Sequence, residues 1–156
     1  MHDVRRMTVA QTALAHRAMK TLKTDAIRPP SEAVVRSYLK DEDNFLAVAC
    51  EGEKPIGFAL AYCLSRLDTR QPMILLYEVF VAAAYRRRGA GRALVHAVLA
   101  FARDRGAVKT WVLTDPNNEA ARRLYTQCQA RDGGANQLYV WPHGALDAGG
   151  QKESIE

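Results

Sequence analysis

The succession of apolar patterns along the chain predicts an α/β domain with a mixed sheet. Two short apolar runs flank Glu51-Gly52-Glu53-Lys54, which reads as a hairpin and makes the early sheet antiparallel. Further on, strand-like and helix-like segments alternate around one long helix, which brings parallel neighbours into the same sheet. The 156 residues show no repeat and no linker, so residues 1–143 are expected to form a single domain. The glycine-containing, charged stretch 144–156 is expected to be a flexible tail.

In chain order, Val9–Leu22 carries Leu14, Ala18, Met19 and Leu22 at helical spacing. Pro29-Pro30 ends that segment. Ser31 then stands where a second helix, reaching about Leu39, needs an oxygen to accept from an orphaned helix N–H. A polar loop, Lys40–Asn44, leads to strands Phe45–Cys50 and Ile56–Cys63. After the loop Ser65–Pro72, Met73–Val81 is the most apolar strand, and Glu78 is the charge within it. Gly91–Arg105 is a helix with Leu94, Val95, Val98, Leu99 and Ala102 on one side and Gly106 as its stop. Thr110–Thr114 is a strand around Trp111, Val112 and Leu113. Asn118–Gln129 is a helix capped by Asn117 or Asn118, and Gln137–Trp141 is a last strand.

The 48% hydrophobic and 25% charged fractions are those of a soluble globular protein. No apolar run approaches the ~20 residues that span a bilayer, and the first residues lack a signal-peptide pattern. With three cysteines and no C-x-x-C spacing, neither a disulfide framework nor a cysteine zinc site is indicated, and a cytoplasmic location is expected. His2, His16, His96 and His143 have no ligand spacing, so no metal is expected. The net charge of +5 is unevenly placed: residues 81–131 carry ten basic and three acidic groups, whereas residues 31–80 carry five and eight. A basic block of this kind suits nucleic acid, a membrane surface or a nucleotide phosphate.

Where the block falls narrows that choice. The strand ending at Val81 runs through Ala82-Ala83-Ala84-Tyr85 into Arg86-Arg87-Arg88-Gly89-Ala90-Gly91-Arg92 and then a helix. Strand, glycine loop and helix start make an anion site: loop amides point outward, the helix adds partial positive charge, and glycine lets a phosphate approach the backbone. The Gly-Lys-Ser/Thr of a P-loop is missing, and the glycines are not spaced as in a dinucleotide-binding turn. A nucleic-acid-binding module is the competing reading. Against it, the arginines cluster at one loop without interleaved aromatic platforms, so neither nucleic acid nor membrane is the expected partner.

Arg86-x-x-Gly89-x-Gly91 resembles the acetyl-CoA signature of the GNAT superfamily of N-acetyltransferases. Asn118-x-x-Ala121-x-x-x-Tyr125, opening the next helix after the next strand, is a second match, and the resemblance spans roughly residues 40–141. It implies a mostly antiparallel sheet splayed around a cofactor slot, with helices on both faces. It also implies that Phe80 and Val81 pair with the pantetheine arm, that the amides of Arg87, Arg88, Gly89, Ala90, Gly91 and Arg92 hold the pyrophosphate, and that Asn118 and Tyr125 border the cofactor. Tyr125 would protonate the leaving thiolate; packing against the sheet is the plainer alternative. Glu78, costly in an apolar strand unless paired or solvated, would take a proton from the substrate ammonium or bind it; a structural ion pair with an arginine is the alternative. No residue is placed to form a covalent acetyl-enzyme, so attack is expected to be direct, within a ternary complex.

More narrowly, Tyr77-Glu78-Val79-Phe80-Val81 with Leu124-Tyr125-Thr126 resembles the GNAT-type aminoglycoside 3-N-acetyltransferases, of the antibiotic-resistance kind. That implies a small, cationic amine substrate and carboxylates along the slot: Glu78, Asp115, and some of Asp41, Glu42, Asp43 and Asp68. The segment Cys128–Gly134 replaces the usual small turn after the tyrosine helix, and other small amines or protein amino groups remain as acceptors. Cys128 is expected to be a small packing residue; proximity to the cofactor sulfur is the alternative. Tyr139 and Trp141 are candidates for a homodimer edge, a substrate wall or core.

Overall fold

The computed structural model describes residues 2–23, 28–134 and 138–141. Five strands form one sheet in chain order: β1 (Asp3–Arg6), β2 (Asn44–Glu51), β3 (Lys54–Leu64), β4 (Met73–Val81) and β5 (Lys109–Trp111). All neighbours are antiparallel except β4 and β5. The helices are α1 (Thr12–Leu22), α2 (Glu32–Lys40), α3 (Ala90–Asp104) and α4 (Glu119–Gln127). The mixed, mostly antiparallel sheet with helices on both faces is therefore the fold.

Each face buries its own core because side chains alternate along the strands. Leu46, Val48, Phe58 and Leu60 meet Ala15, Ala18, Met19 and Leu22 of α1 and Val35 of α2. Phe45, Ala47, Ile56, Ile74 and Leu76 meet Leu94, Val95, Val98 and Phe101 of α3 on the other face. Local sequence sets the helix ends. Ser31 Oγ accepts from Val34 N at the start of α2. At the end of α3, Gly106 takes φ +63°, and Ala107 N and Gly106 N return to the carbonyls of Ala102 and Arg103. That Schellman geometry is why Gly106 stops the helix.

Three elements differ from the sequence expectation. β1 has no apolar periodicity to announce it: Asp-Val-Arg-Arg is an edge strand whose Val4 packs on the core and whose Arg6 guanidinium lies over the Phe101 ring, 4.7 Å from its centre. β5 stops at Trp111 rather than Thr114. The last strand is not formed over Leu138–Trp141, where all four side chains are exposed; Gln137 lies outside the described residues. So does the proposed tail 144–156.

Candidate active site

One inserted residue shapes the site. Leu60 pairs with Glu78 but the next residue, Ala61, pairs with Leu76, so Tyr77 is an extra residue bulged out of β4. A bulge bends and twists its strand. It also shifts the alternation by one: Ile74 and Leu76 point to the α3 face, and beyond the bulge Val79 and Val81 do so too. Glu78 and Phe80 are thereby turned to the α1–α2 face, where Phe80 packs and Glu78 meets α1. Parallel pairing with β5 has its last pair at Leu75 and Trp111, immediately before the bulge. From there to Val81, β4 has no strand paired to this edge among the described residues.

The phase of that edge follows from the β3 ladder. Ala82 N donates to Ile56 O at 2.9 Å, continuing the register that opposes Phe58 and Phe80. Hydrogen-bonded and non-hydrogen-bonded pairs alternate, so Glu78 and Phe80 exchange their bonds with β3, while the N–H and C=O of Val79 and Val81 point the other way. Val81 O accepts from Arg86 Nε at 2.8 Å. Val79 N–H, Val79 C=O and Val81 N–H face a cleft of about 650 Å³ between β4, α3 and α4. Of the two strand residues expected to serve a cofactor arm, Phe80 lines the cleft, but its backbone is turned to β3; Val79, which the sequence reading did not single out, offers both its groups.

Gly57, on β3 opposite Val81, makes the close packing of this edge feasible. A Cβ there would sit 2.6 Å from Phe80 O. A glycine inside a strand is a signal of close backbone approach, so this position was readable in principle.

At the end of β4 the chain makes a 3-10 turn, Ala83–Tyr85, and then the loop into α3. Arg87 takes φ +64° and Gly89 φ +89°. Positive φ is uncommon for a residue with a Cβ, and alternating handedness turns successive amides toward one point. The first i→i−4 bond of α3 is Ala93 N to Gly89 O, so the amides of Ala90, Gly91 and Arg92 precede it as helix-end donors. No acidic residue occupies this first turn. Arg86, Arg87, Arg92 and, from α4, Arg123 line the cleft, and no carboxylate does.

The expected loop residues contribute differently. Gly89, Gly91 and Arg92 line the cleft. Ala90 buries its methyl in the α3 core and has only its amide to offer. Arg88 is turned aside: its guanidinium lies over Tyr85, 5.7 Å from the ring centre, and its carbonyl contacts His2 Nε2 at 2.8 Å.

On α4, Asn118 Oδ1 accepts from Ala121 N at 3.1 Å, which fixes the helix start and orients Tyr125 two turns later. Both Asn118 and Tyr125 line the cleft. Tyr125 packs by its ring on the α3-side core, and its hydroxyl has no hydrogen-bond partner among the described residues. Burial first, and Cys128 second, raise its phenol above the ordinary value of 10. The phenol is therefore protonated at neutral pH, as a proton donor must be. Cys128 is buried in the same core, and burial raises its thiol, so it is not a ready thiolate.

Glu78 carries the ion pair foreseen as the alternative, but the partner is a lysine. Lys23, at the end of α1, places Nζ 2.7 Å from Glu78 Oε2, each side chain 24% exposed. The other carboxylates do not converge. Asp115 Oδ1 accepts from Asn117 N in an exposed turn. Asp43 pairs with Arg105, and Asp68 with Arg66. Asp41 caps its own turn through Asp43 N. Among the described residues no three His, Cys, Asp or Glu side chains gather as metal ligands, and no helix is long and apolar enough to cross a membrane.

An opened strand edge thus leads from loop amides and arginines at one end to a buried, protonated phenol at the other. The chain belongs to the acetyltransferase (GNAT) family, whose model matches residues 12–129. It is 31% identical to human N-acetyltransferase 8 over 108 residues, 69% of this chain but 48% of that protein, so it spans about half the human relative's length. An uncharacterised N-acetyltransferase of Mycobacterium tuberculosis is 29% identical over 72% of this chain and 69% of its own. Among solved structures, an aminoglycoside acetyltransferase from an uncultured soil metagenomic sample superposes with a TM-score of 0.81 at 25% identity, covering 92% of this chain and 99% of that one. AAC(6')-Iy, in complex with a bisubstrate analogue, CoA-S-monomethyl-acetylneamine, has the same fold at a TM-score of 0.74 and 19% identity, over 92% and 99%.

Proposed function

We propose that this protein transfers the acetyl group of acetyl-CoA to a primary amine by direct attack in a ternary complex. The observation that carries the reading is the cleft itself, where four arginines, two positive-φ residues and no carboxylate meet the free backbone edge of β4. A dianionic pyrophosphate suits the amides of Arg87–Arg92 and the Arg87 and Arg92 guanidiniums. A pantetheine arm, with its own amides, suits Val79 and Val81. The acetyl carbonyl then lies near Val79 N–H, which stabilises the oxyanion as the amine adds. Glu78 accepts the proton of the incoming ammonium, and Tyr125 gives its own to the departing thiolate.

The acceptor we propose is a small cationic amine, with aminoglycosides first among candidates. The likeness to an aminoglycoside acetyltransferase over 92% of the chain supports this. The sequence resemblance favours the 3-amino group, and the fold shared with AAC(6')-Iy makes the 6'-amino group the other regiochemical outcome. The test is CoA thiol release from acetyl-CoA across aminoglycosides, polyamines and peptide amines, with Tyr125→Phe beside the parent. Turnover should fall roughly a hundredfold or more in the variant while acetyl-CoA still binds. Thiol release from no amine in the presence of bound acetyl-CoA would overturn the transferase reading. Release with peptides and none with aminoglycosides would overturn the acceptor alone.

A further inference from the structure

The Lys23–Glu78 pair puts a primary ammonium on the carboxylate that the proposed reaction uses as its base; both side chains lie beside the cleft rather than in its lining. Glu78 is the charged side chain of β4, and the bulge at Tyr77 turns it to the α1–α2 face. The next residue, Val79, turns its side chain to the opposite face and its backbone to the cleft along the edge of the strand. Lys23, the residue that follows α1, reaches this carboxylate from 55 residues away in sequence, at 2.7 Å. Both side chains are partly shielded, so the contact is more than a solvated surface pair. A side-chain ammonium held by the carboxylate that would deprotonate an acceptor is, chemically, an acceptor amine in place.

We propose that Lys23 is an acetyl acceptor of this protein itself, modified within the same molecule when acetyl-CoA is bound and no better amine displaces it. The proposal rests on the transferase reading given above. The Lys23 ammonium gives a proton to Glu78, and the freed Nζ lone pair adds to the thioester carbonyl. As the intermediate collapses, a C–N bond has formed and the C–S bond breaks; the thiolate takes the Tyr125 proton. The balance is acetyl-CoA and lysine ammonium in, Nε-acetyl-lysine, CoA thiol and one proton out. No oxidant or further reactant is needed. Tethering replaces an encounter between molecules, so a modest local concentration suffices for the step.

The experiment incubates the purified full chain with acetyl-CoA alone and maps acetylated lysines by peptide mass spectrometry, with thiol release toward soluble amines and acetyl-CoA binding measured in parallel. Lys23 should reach an occupancy at least about tenfold above Lys20, Lys40, Lys54 or Lys109, at a rate constant independent of protein concentration. Tyr125→Phe should slow it roughly a hundredfold, while Lys20→Arg leaves it unchanged. Acetylation spread evenly over the lysines, or equal at Lys23 in Tyr125→Phe and Glu78→Gln, is adventitious chemistry and overturns the proposal. An unmodified Lys23 beside Tyr125-dependent release toward soluble amines overturns it and leaves the transferase reading standing. Absence of acetyl-CoA binding as well removes both.

Discussion

Replacing Gly57 by alanine tests whether the open edge of β4 is what the cleft works with. The new methyl carbon would lie 2.6 Å from Phe80 O, 3.2 Å from Val81 Cγ2 and 3.3 Å from Leu94 Cδ1. The first contact is with backbone, which cannot rotate away. Ordinary contact begins near 3.4 Å, so β3 and β4 must part by about 0.8 Å at this point. Overpacking of this kind costs about 1–3 kcal/mol, and removing a glycine from a strand returns roughly 0.5–1 kcal/mol. A net loss of about 1–2 kcal/mol remains. With a urea dependence of about 1–3 kcal/mol per molar, the unfolding midpoint should fall by roughly 1 M. The displaced atoms are those of Phe80 and Val81, so the open edge of β4, which takes the pantetheine arm on the proposed reading, moves with them. A misplacement approaching 1 Å can cost about a hundredfold in kcat/KM. Urea titration and thiol release measure the two effects on one preparation. Gly91→Ala is the internal control: its Cβ would meet Leu124 at 3.4 and 3.6 Å, ordinary contact, inside a helix that alanine favours. It should unfold no earlier than the parent. If Gly57→Ala unfolds at the parent midpoint and keeps kcat/KM within about twofold, the close approach of β3 to β4 does not hold the site.

Two more outcomes follow from the loop and the tyrosines. Gly89→Ala has room for its methyl but must keep φ +89°, so it should cost about 1–2 kcal/mol and weaken acetyl-CoA binding, read by calorimetry; unchanged binding would remove the positive-φ amides from the cradle. Tyr125 and Tyr38 both have phenols raised, chiefly by burial, so their contribution to stability is complete below the unfolded value near 10 and is lost as pH climbs through the folded ones. The thermal midpoint should therefore fall as pH rises above about 10, and Tyr38→Phe with Tyr125→Phe should flatten the fall; an equally steep fall in the double variant would refute the assignment.

What the sequence disclosed was what local rules govern. The α3 stripe, the Ser31 and Asn118 caps and the Gly106 stop each depend on residues within one or two turns, and all formed. The glycine-arginine loop is equally local. β1 was invisible because an edge strand with polar side chains on both faces has no period to detect. The run Leu138–Trp141 shows the converse error: strand-forming side chains predict a strand, but all four side chains stand exposed and none forms over these residues. The bulge at Tyr77 leaves no mark in Ile-Leu-Leu-Tyr-Glu-Val-Phe-Val, since every residue but Glu78 suits either face. Lys23 could not be read beside Glu78, because nothing local links positions 55 apart.

That bulge explains how one strand serves both substrates on the proposed reading. Without it, the alternation set by Ile74 and Leu76 would carry Glu78 into the α3 core, where an unpaired carboxylate is expensive. With it, Glu78 faces α1, and Val79 turns its side chain to α3 and its backbone to the cleft. On that reading the cosubstrate is held from residues 79–125, by β4, the loop before α3, α3 and α4, and the proposed acceptor comes from the α1–α2 face, where the Lys23 ammonium meets Glu78. Substitutions along α1 and α2 should accordingly move the KM of the amine, and those in Arg87–Arg92 the KM of acetyl-CoA. Glu78 is where the two halves touch, one residue from Val79 and one hydrogen bond from Lys23. A change there cannot be assigned to either substrate alone: Glu78→Gln should release Lys23, slow attack at the thioester and leave acetyl-CoA binding in place.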